Sequence, residues 1–335
     1  MEAFKLPPVL KNKKGKLRTV GFELEFANVG IEESAELVQQ LYGGKHVTEH
    51  RFSHKIVGTP IGDFSIKIDL KLLNEKTYQI PFNKLHINLK DIKIGDETLE
   101  DEVETALENL VKTVIPYEIT TPPVPVTALE QFEKLRQALF EHKAEGTEAF
   151  LTNAFATHIN PEVPDTKPET ILAYLKAFLL LYPLLLENGK TDLARRVTSF
   201  INPFPQEYCK LVLNPSYLPD LNNLIVDYHR YNPDRNRPLD LYPLFAALNP
   251  DLVDTFEDLG NVKKRETFHY RLPNSLISTA EWTLAREWNN WVLVEELANK
   301  PDTIKEMSQA YAKLKDDTLI GFESKWAKQT KQWVC

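Results

Sequence analysis

Val20-Gly21-Phe22-Glu23-Leu24-Glu25-Phe26 alternates strictly between apolar and acidic residues. On a strand, successive side chains point to opposite faces. Phe22, Leu24 and Phe26 therefore share one face, and Glu23 and Glu25 share the other. Two carboxylates about 7 Å apart on one strand face repel unless something positive stands between them. A hard divalent cation is one solution. A solvated outer face of an antiparallel sheet is the alternative.

Other segments predicted as strands show the same split. In Ala156-Thr157-His158-Ile159-Asn160, His158 and Asn160 share a face opposite Ile159. In Thr267-Phe268-His269-Tyr270-Arg271, His269 and Arg271 oppose Phe268 and Tyr270. Glu118 opposes Tyr117 and Ile119, and Lys67 and Asp69 oppose the aliphatics of Ile66-Lys67-Ile68-Asp69-Leu70. One sheet face is thus expected to gather Glu23, Glu25, Asp69, Glu118, His158, Asn160, His269 and Arg271. Acids, imidazoles and an arginine are the inventory of a metal-and-phosphate site. Asp63, beside Gly62, competes with Asp69, although Gly62-Asp63 also reads as a turn. His86-Ile87-Asn88 shows how cheaply the His-x-Asn pattern arises, and its Lys84 and Lys90 flanks mark a plain exposed strand.

Working outward, strands are expected at Val20 to Ala27, Phe64 to Leu72, Leu85 to Leu89, Tyr117 to Thr120, Ala156 to Asn160 and Thr267 to Leu272. Capping-box patterns at Thr127–Glu130, Thr166–Glu169, Ser278–Glu281 and Thr303–Glu306 predict helix starts. Two further helices are expected at about 31–42, ending at Gly43-Gly44, and at about 97–113. Residues 1–18 read as a loose basic arm. Residues 19–335 read as a single domain, with an insertion at about 73–115 and a helical C-terminal part at about 278–335. The expected class is α+β: an antiparallel sheet with helices packed on its apolar face.

Composition narrows the function. The 335 residues are 42% apolar and 26% charged, which excludes a largely disordered chain. A net charge of −8 argues against a sequence-independent nucleic-acid binder. The two cysteines, Cys209 and Cys335, give no disulfide framework and no cysteine-based zinc site. No apolar leader is visible at the N-terminus, and the apolar run Ala177 to Leu186 contains Pro183 and is too short to span a bilayer. A soluble cytoplasmic protein that engages no membrane is expected. Gly43-Gly44-Lys45-His46 lacks the other residues of a Walker loop, and no GxGxxG, HExxH or GxSxG occurs.

Taken in order, the pieces resemble the putative amidoligase family, part of the carboxylate–amine ligase superfamily with glutamate–cysteine ligase and glutamine synthetase. Val20 to Phe26 resembles its opening GxExE strand, and Glu118-Ile119-Thr120-Thr121-Pro122-Pro123 its strand exit into paired prolines. Ala156 to Asn160 resembles its histidine strand, and Thr267 to Arg271 its C-terminal arginine strand. The pieces span about residues 18 to 295.

The resemblance implies a glutamine synthetase/glutamate–cysteine ligase-like fold whose polar sheet face binds metal and nucleotide. It implies an ATP-dependent ligase using Mg²⁺ or Mn²⁺ that joins small-molecule or peptide carboxylates to amines through an acyl phosphate. Glu23, Glu25, Glu118 and His158 fall on ligand positions. Asp69 resembles one in a D-G-S-L piece but lacks its Gly and Ser. His269 stands where the family often has Glu, which shifts that position from Mg²⁺ towards Mn²⁺. Arg271 falls on the phosphate-binding arginine, Glu118 and Arg271 are the expected catalytic residues, and Asn160 and Arg271 are expected against the nucleotide. Charge alone suggests Arg230, Arg235 and Arg237 for the substrate carboxylate. Two alternatives stand beside the ligase: a degraded member that only binds, and a metal-dependent phosphohydrolase.

Overall fold

Alternation in the opening motif places β1 (Thr19–Phe26) in the middle of the protein. Phe22, Leu24 and Phe26 are fully buried, and each such side chain is worth about 1.5–3 kcal/mol of transfer free energy as an upper estimate. The computed structural model describes residues 2–68, 116–147, 155–189, 202–260, 262–318 and 320–334. Asp69 lies outside the described residues, as do the expected insertion, the 85–89 strand and the 97–113 helix.

The other strands are β2 (Lys45–His50), β3 (Ser53–Val57), β4 (Phe64–Ile68), β5 (Tyr117–Thr120), β6 (Val124–Pro125), β7 (Thr157–Pro161), β8 (Leu239–Asp240) and β9 (His269–Tyr270). Among the described residues they form one sheet in the order β2-β3-β4-β5-β1-β7-β9-β8, with β6 also paired to β1. Every pairing is antiparallel. With its helices this is an α+β fold, as the alternation predicts. Pro122 and Pro123 fall between β5 and β6, where no ladder hydrogen bond is asked of them.

Helices cover the aliphatic face. Among the described residues the longer ones are α1 (Ile31–Tyr42), α2 (Glu133–Glu141), α3 (Pro168–Asn188), α4 (Gln206–Leu213), α5 (Leu221–Tyr231), α6 (Tyr242–Leu248), α7 (Leu284–Ala298), α8 (Pro301–Asp316) and α9 (Phe322–Val334). α1 buries Ala35, Leu37, Val38 and Tyr42 against the sheet. The ring of Phe132, just before α2, meets Phe22 edge-on at 5.7 Å. α3 is the core helix. Its 21 residues run through Pro183 and are long and apolar enough to cross a membrane, but 72% of that apolar window is buried inside the protein. Tyr174 on α3 stacks on Phe268 at 4.8 Å, and Tyr270 meets both Phe178 of α3 and Trp291 of α7.

Several helix starts differ from the capping-box expectation. Prolines decide two of them: Pro168 and Pro301 occupy the first turn, so α3 starts after Lys167 and α8 after Lys300. Residues 278–282 form turns, and α7 is capped instead by Thr283, whose hydroxyl accepts from the Arg286 amide at 3.2 Å. Thr127 precedes a 3₁₀ turn, Leu129–Phe132, that leads into α2. A further helix, α9, follows the one expected to be last.

Residues 2–18 are tied down rather than loose. The Lys5 amide donates to Asn289 Oδ1 at 2.8 Å, and Trp288 Nε1 donates to the Lys5 carbonyl at 2.7 Å. Arg18 forms a fully buried two-pronged ion pair with Glu295 of α7, at 2.6 and 2.7 Å.

Candidate functional site

Antiparallel register converts the alternation of single strands into one shared face. On β1, Glu23 stands opposite Thr120 of β5 and His158 of β7, and Gly21 stands opposite Asn160. Glu25 stands directly opposite Glu118, and Glu118 in turn opposite Lys67 of β4. At the far side, Ile159 pairs with Tyr270, and His269 pairs with Asp240 of β8. Glu23, Glu25, Glu118, His158, Asn160, Lys67 and His269 therefore emerge together, on the side opposite Phe22 and Leu24.

Glu23 is the hub. Its Oε2 lies 3.0 Å from His158 Nδ1 and 3.8 Å from His269 Nε2. Its Oε1 accepts from Asn160 Nδ2 at 3.1 Å and from the Arg265 guanidinium at 3.3 Å. Burial pushes the Glu23 carboxyl up, but the two imidazoles outweigh it and hold it well below the usual carboxylate range. Burial pushes His158 down to about 3 against the opposing pull of Glu23, so its ring is neutral at pH 7. Burial also works against charge on His269, yet Asp240 and Glu23 outweigh it and raise that imidazole. His269 Nδ1 lies 3.2 Å from Asp240 Oδ2, and the two rings meet edge-to-face at 5.0 Å.

Glu25 and Glu118 are both buried, and two carboxylates directly opposite on neighbouring strands destabilise the pair. Each has local compensation. Glu25 Oε2 accepts from the Ala156 amide at 2.7 Å. Glu118 Oε1 accepts from Thr120 Oγ1 at 2.8 Å and pairs with Lys67 Nζ at 3.0 Å.

Two features fit a divalent cation here. The first is at His158: Nδ1 bonds to Glu23, which leaves Nε2 as the lone-pair nitrogen, 3.5 Å from Glu25 Oε1. An acceptor facing an acceptor is the arrangement that a cation resolves, and a histidine backed by a carboxylate is a common metal-ligand arrangement. The second is His269 Nε2, a buried nitrogen without a hydrogen-bond partner. One ligand atom each from Glu23, His158 and His269 falls within 4.8 Å of the others. With two imidazoles, the donors suit Mn²⁺ or another transition ion better than Mg²⁺.

The structure thus brings together all the expected site residues it describes, with one difference at the arginine. The Arg271 guanidinium is turned into the 235–238 loop, bonding the Arg235 carbonyl and, at 3.4 Å, Asn236 Oδ1. It is near enough that its charge helps depress both His158 and Asp240. Of the loop arginines, Arg235 pairs with Asp240 at 3.1 Å, and Arg237 donates to the carbonyls of Asn202 and Pro203. Both serve the loop itself, which is the ordinary role of such ion pairs.

Sequence reading missed Asp240, Lys263 and Arg265. Asp240 sits on a two-residue strand, too short for an alternation signal. Lys263 is held down by burial and by the charges of Lys67 and Arg265, which places all three cations beside the acids.

No curated protein and no solved structure matches the chain. The family described as "putative amidoligase enzyme" matches residues 16–293, which takes in every strand of the sheet. With four fifths of its length inside that match, the chain belongs to the putative amidoligase family.

Proposed function

We propose that this chain is an ATP-dependent ligase that joins a carboxylate to an amine through an acyl phosphate. A carboxylate does not acylate an amine in water, because its oxygen is a poor leaving group. Attack of the carboxylate oxygen on the γ-phosphorus breaks the bond to ADP and creates a good one. The amine then attacks the acyl carbon, phosphate departs with the carbon–oxygen bond, and the amine loses a proton.

The observation that carries this reading is the composition of the face around Glu23. Buried acids and imidazoles, suited to Mg²⁺ or Mn²⁺, stand beside the cations Lys67, Lys263 and Arg265, with Arg271 nearby, and these suit a triphosphate. Glu23, His158 and His269 would hold a metal, with Glu25, Glu118 and Asp69 as further ligands. The metal would neutralise charge passing between the γ-phosphate and the acceptor oxygen. Asn160 would fix the Glu23 carboxylate at the nucleotide. Arg271, released from its loop carbonyl, would offer a two-pronged fork to phosphate.

One feature favours a second reading, a member that binds without catalysis. His269 stands where the family often has Glu, and its ring lies between Glu23 and Asp240, 3.8 and 3.2 Å from their carboxylates. Incubation with ATP, Mg²⁺ or Mn²⁺, and pools of acids and amines separates the readings. Phosphate release that needs both acid and amine supports the ligase. Release without amine indicates a phosphohydrolase, and no release indicates a binder.

A further inference from the structure

A second set of metal-ligating side chains lies on the opposite face of the sheet. Register pairs His46 of β2 with Ile56, and His54 of β3 with Ile66 of β4. Both isoleucines are fully buried in the helix-covered core, so both imidazoles project on that side, towards α1. The first turn of α1 supplies Glu32. His54 is 1% exposed, and both its ring nitrogens face titratable side chains. Nδ1 lies 3.0 Å from His46 Nε2, and Nε2 lies 3.6 Å from Glu32 Oε1. One ligand atom from each of the three residues falls within 4.8 Å of the others.

Two imidazole nitrogens on one tetrahedral ion, at about 2.0–2.1 Å each, stand roughly 3.3 Å apart. The His46–His54 approach of 3.0 Å is close to that spacing. The carboxylate of Glu32 is exposed and faces His54 Nε2, across the ring from the nitrogen that meets His46, so it joins an ion held between the two rings by rotating its side chain.

We propose that His46, His54 and Glu32 form a binding site for a divalent transition-metal ion of the zinc class. Two imidazoles and one carboxylate select such an ion over Mg²⁺, and a water completes the tetrahedron. The ion clips the β2–β3 hairpin, at one edge of the sheet, to the start of α1. β3 lies three strands from β1, about 14 Å across the sheet, and the histidines point away from Glu23. The two sites therefore fill independently.

The test is Zn²⁺ titration of the full chain in competition with a chromophoric chelator, followed by Co²⁺ absorption. Whatever Zn²⁺ the Glu23 site takes up, the wild type is expected to bind an equivalent that His46→Gln loses and Glu23→Gln keeps, with a set of tetrahedral Co²⁺ bands that is missing from the His46 variant and retained in Glu23→Gln. Glu32→Gln should weaken that equivalent about tenfold or more. His46 is only partly buried, so its variant remains informative if His54→Asn fails to fold. Wild type without a Zn²⁺ equivalent, or a His46→Gln titration superimposable on wild type, overturns the proposal.

Discussion

Replacing Arg18 by methionine should cost this protein several kilocalories, although Arg18 precedes the site motif and carries no chemistry itself. Both ends of its ion pair with Glu295 are completely buried. Arg18 also donates to the carbonyls of Val9 and Glu162, which lash the N-terminal segment and the end of β7 to β1. Without the guanidinium, the Glu295 carboxylate stays buried with Tyr174 Oη at 3.1 Å and Trp291 Nε1 at 2.8 Å as its side-chain donors. Breaking a buried pair on one side costs about 3–5 kcal/mol. The two remaining donors place this case near the lower end, at about 3 kcal/mol. For a chain of this size the unfolding entropy is roughly 0.7 kcal/mol/K, so the melting temperature should fall by about 4 °C. The Arg18→Met, Glu295→Gln double variant should recover part of that loss, because the uncompensated charge is gone. Calorimetric melting of the three proteins checks this. If Arg18→Met melts within a degree of wild type, the pair does not hold the N-terminal segment and α7 to the sheet.

The Glu23→Gln, Glu25→Gln double variant should lose most of the melting-temperature gain that wild type shows with Mg²⁺-ATP or Mn²⁺-ATP. A ligand at 100 times its dissociation constant adds about 2.7 kcal/mol, and an equal gain in the variant would remove both glutamates from the metal site. Gly44→Ala should destabilise by about 1–3 kcal/mol in urea unfolding, since Gly44 has φ +86° and an added Cβ would lie 2.7 Å from the Val57 carbonyl oxygen. An unchanged midpoint would refute the turn geometry. Burial pushes the Cys209 thiol up to about 11, so at pH 8 alkylation at Cys209, read by peptide mapping, should run roughly two hundredfold slower than for an ordinary cysteine. A rate equal to that of a free thiol would contradict its burial.

The sheet was legible wherever one face is apolar and the other polar. β1, β4, β5 and β7 all announce themselves in this way, and their shared polar side follows from period-two geometry. The β2–β3 hairpin was not legible. β2 is largely exposed, and its core-facing positions include His46, so no apolar alternation marks it. β8 and β9 are two residues long in the structure, and Asp240 joins the site only through tertiary contact. Charge signs were also beyond the sequence. Glu23 and Glu25 alone predict relief of repulsion when both are neutralised. With His158, His269 and Arg265 arrayed around Glu23, the variant without ligand should instead melt below wild type. The N-terminal segment reads as loose because its anchors, Asn289, Trp288 and Glu295, lie more than 250 residues away in sequence and cannot be paired with it by inspection.

Calorimetric titration of the wild type with ATP, in Mg²⁺ or Mn²⁺ and again in EDTA, tests the central claim most directly. The account predicts binding that requires the metal, with Mn²⁺ the tighter partner because two of the nearest donors are imidazoles. Equal ATP binding in EDTA, or no ATP binding with either metal, would contradict it.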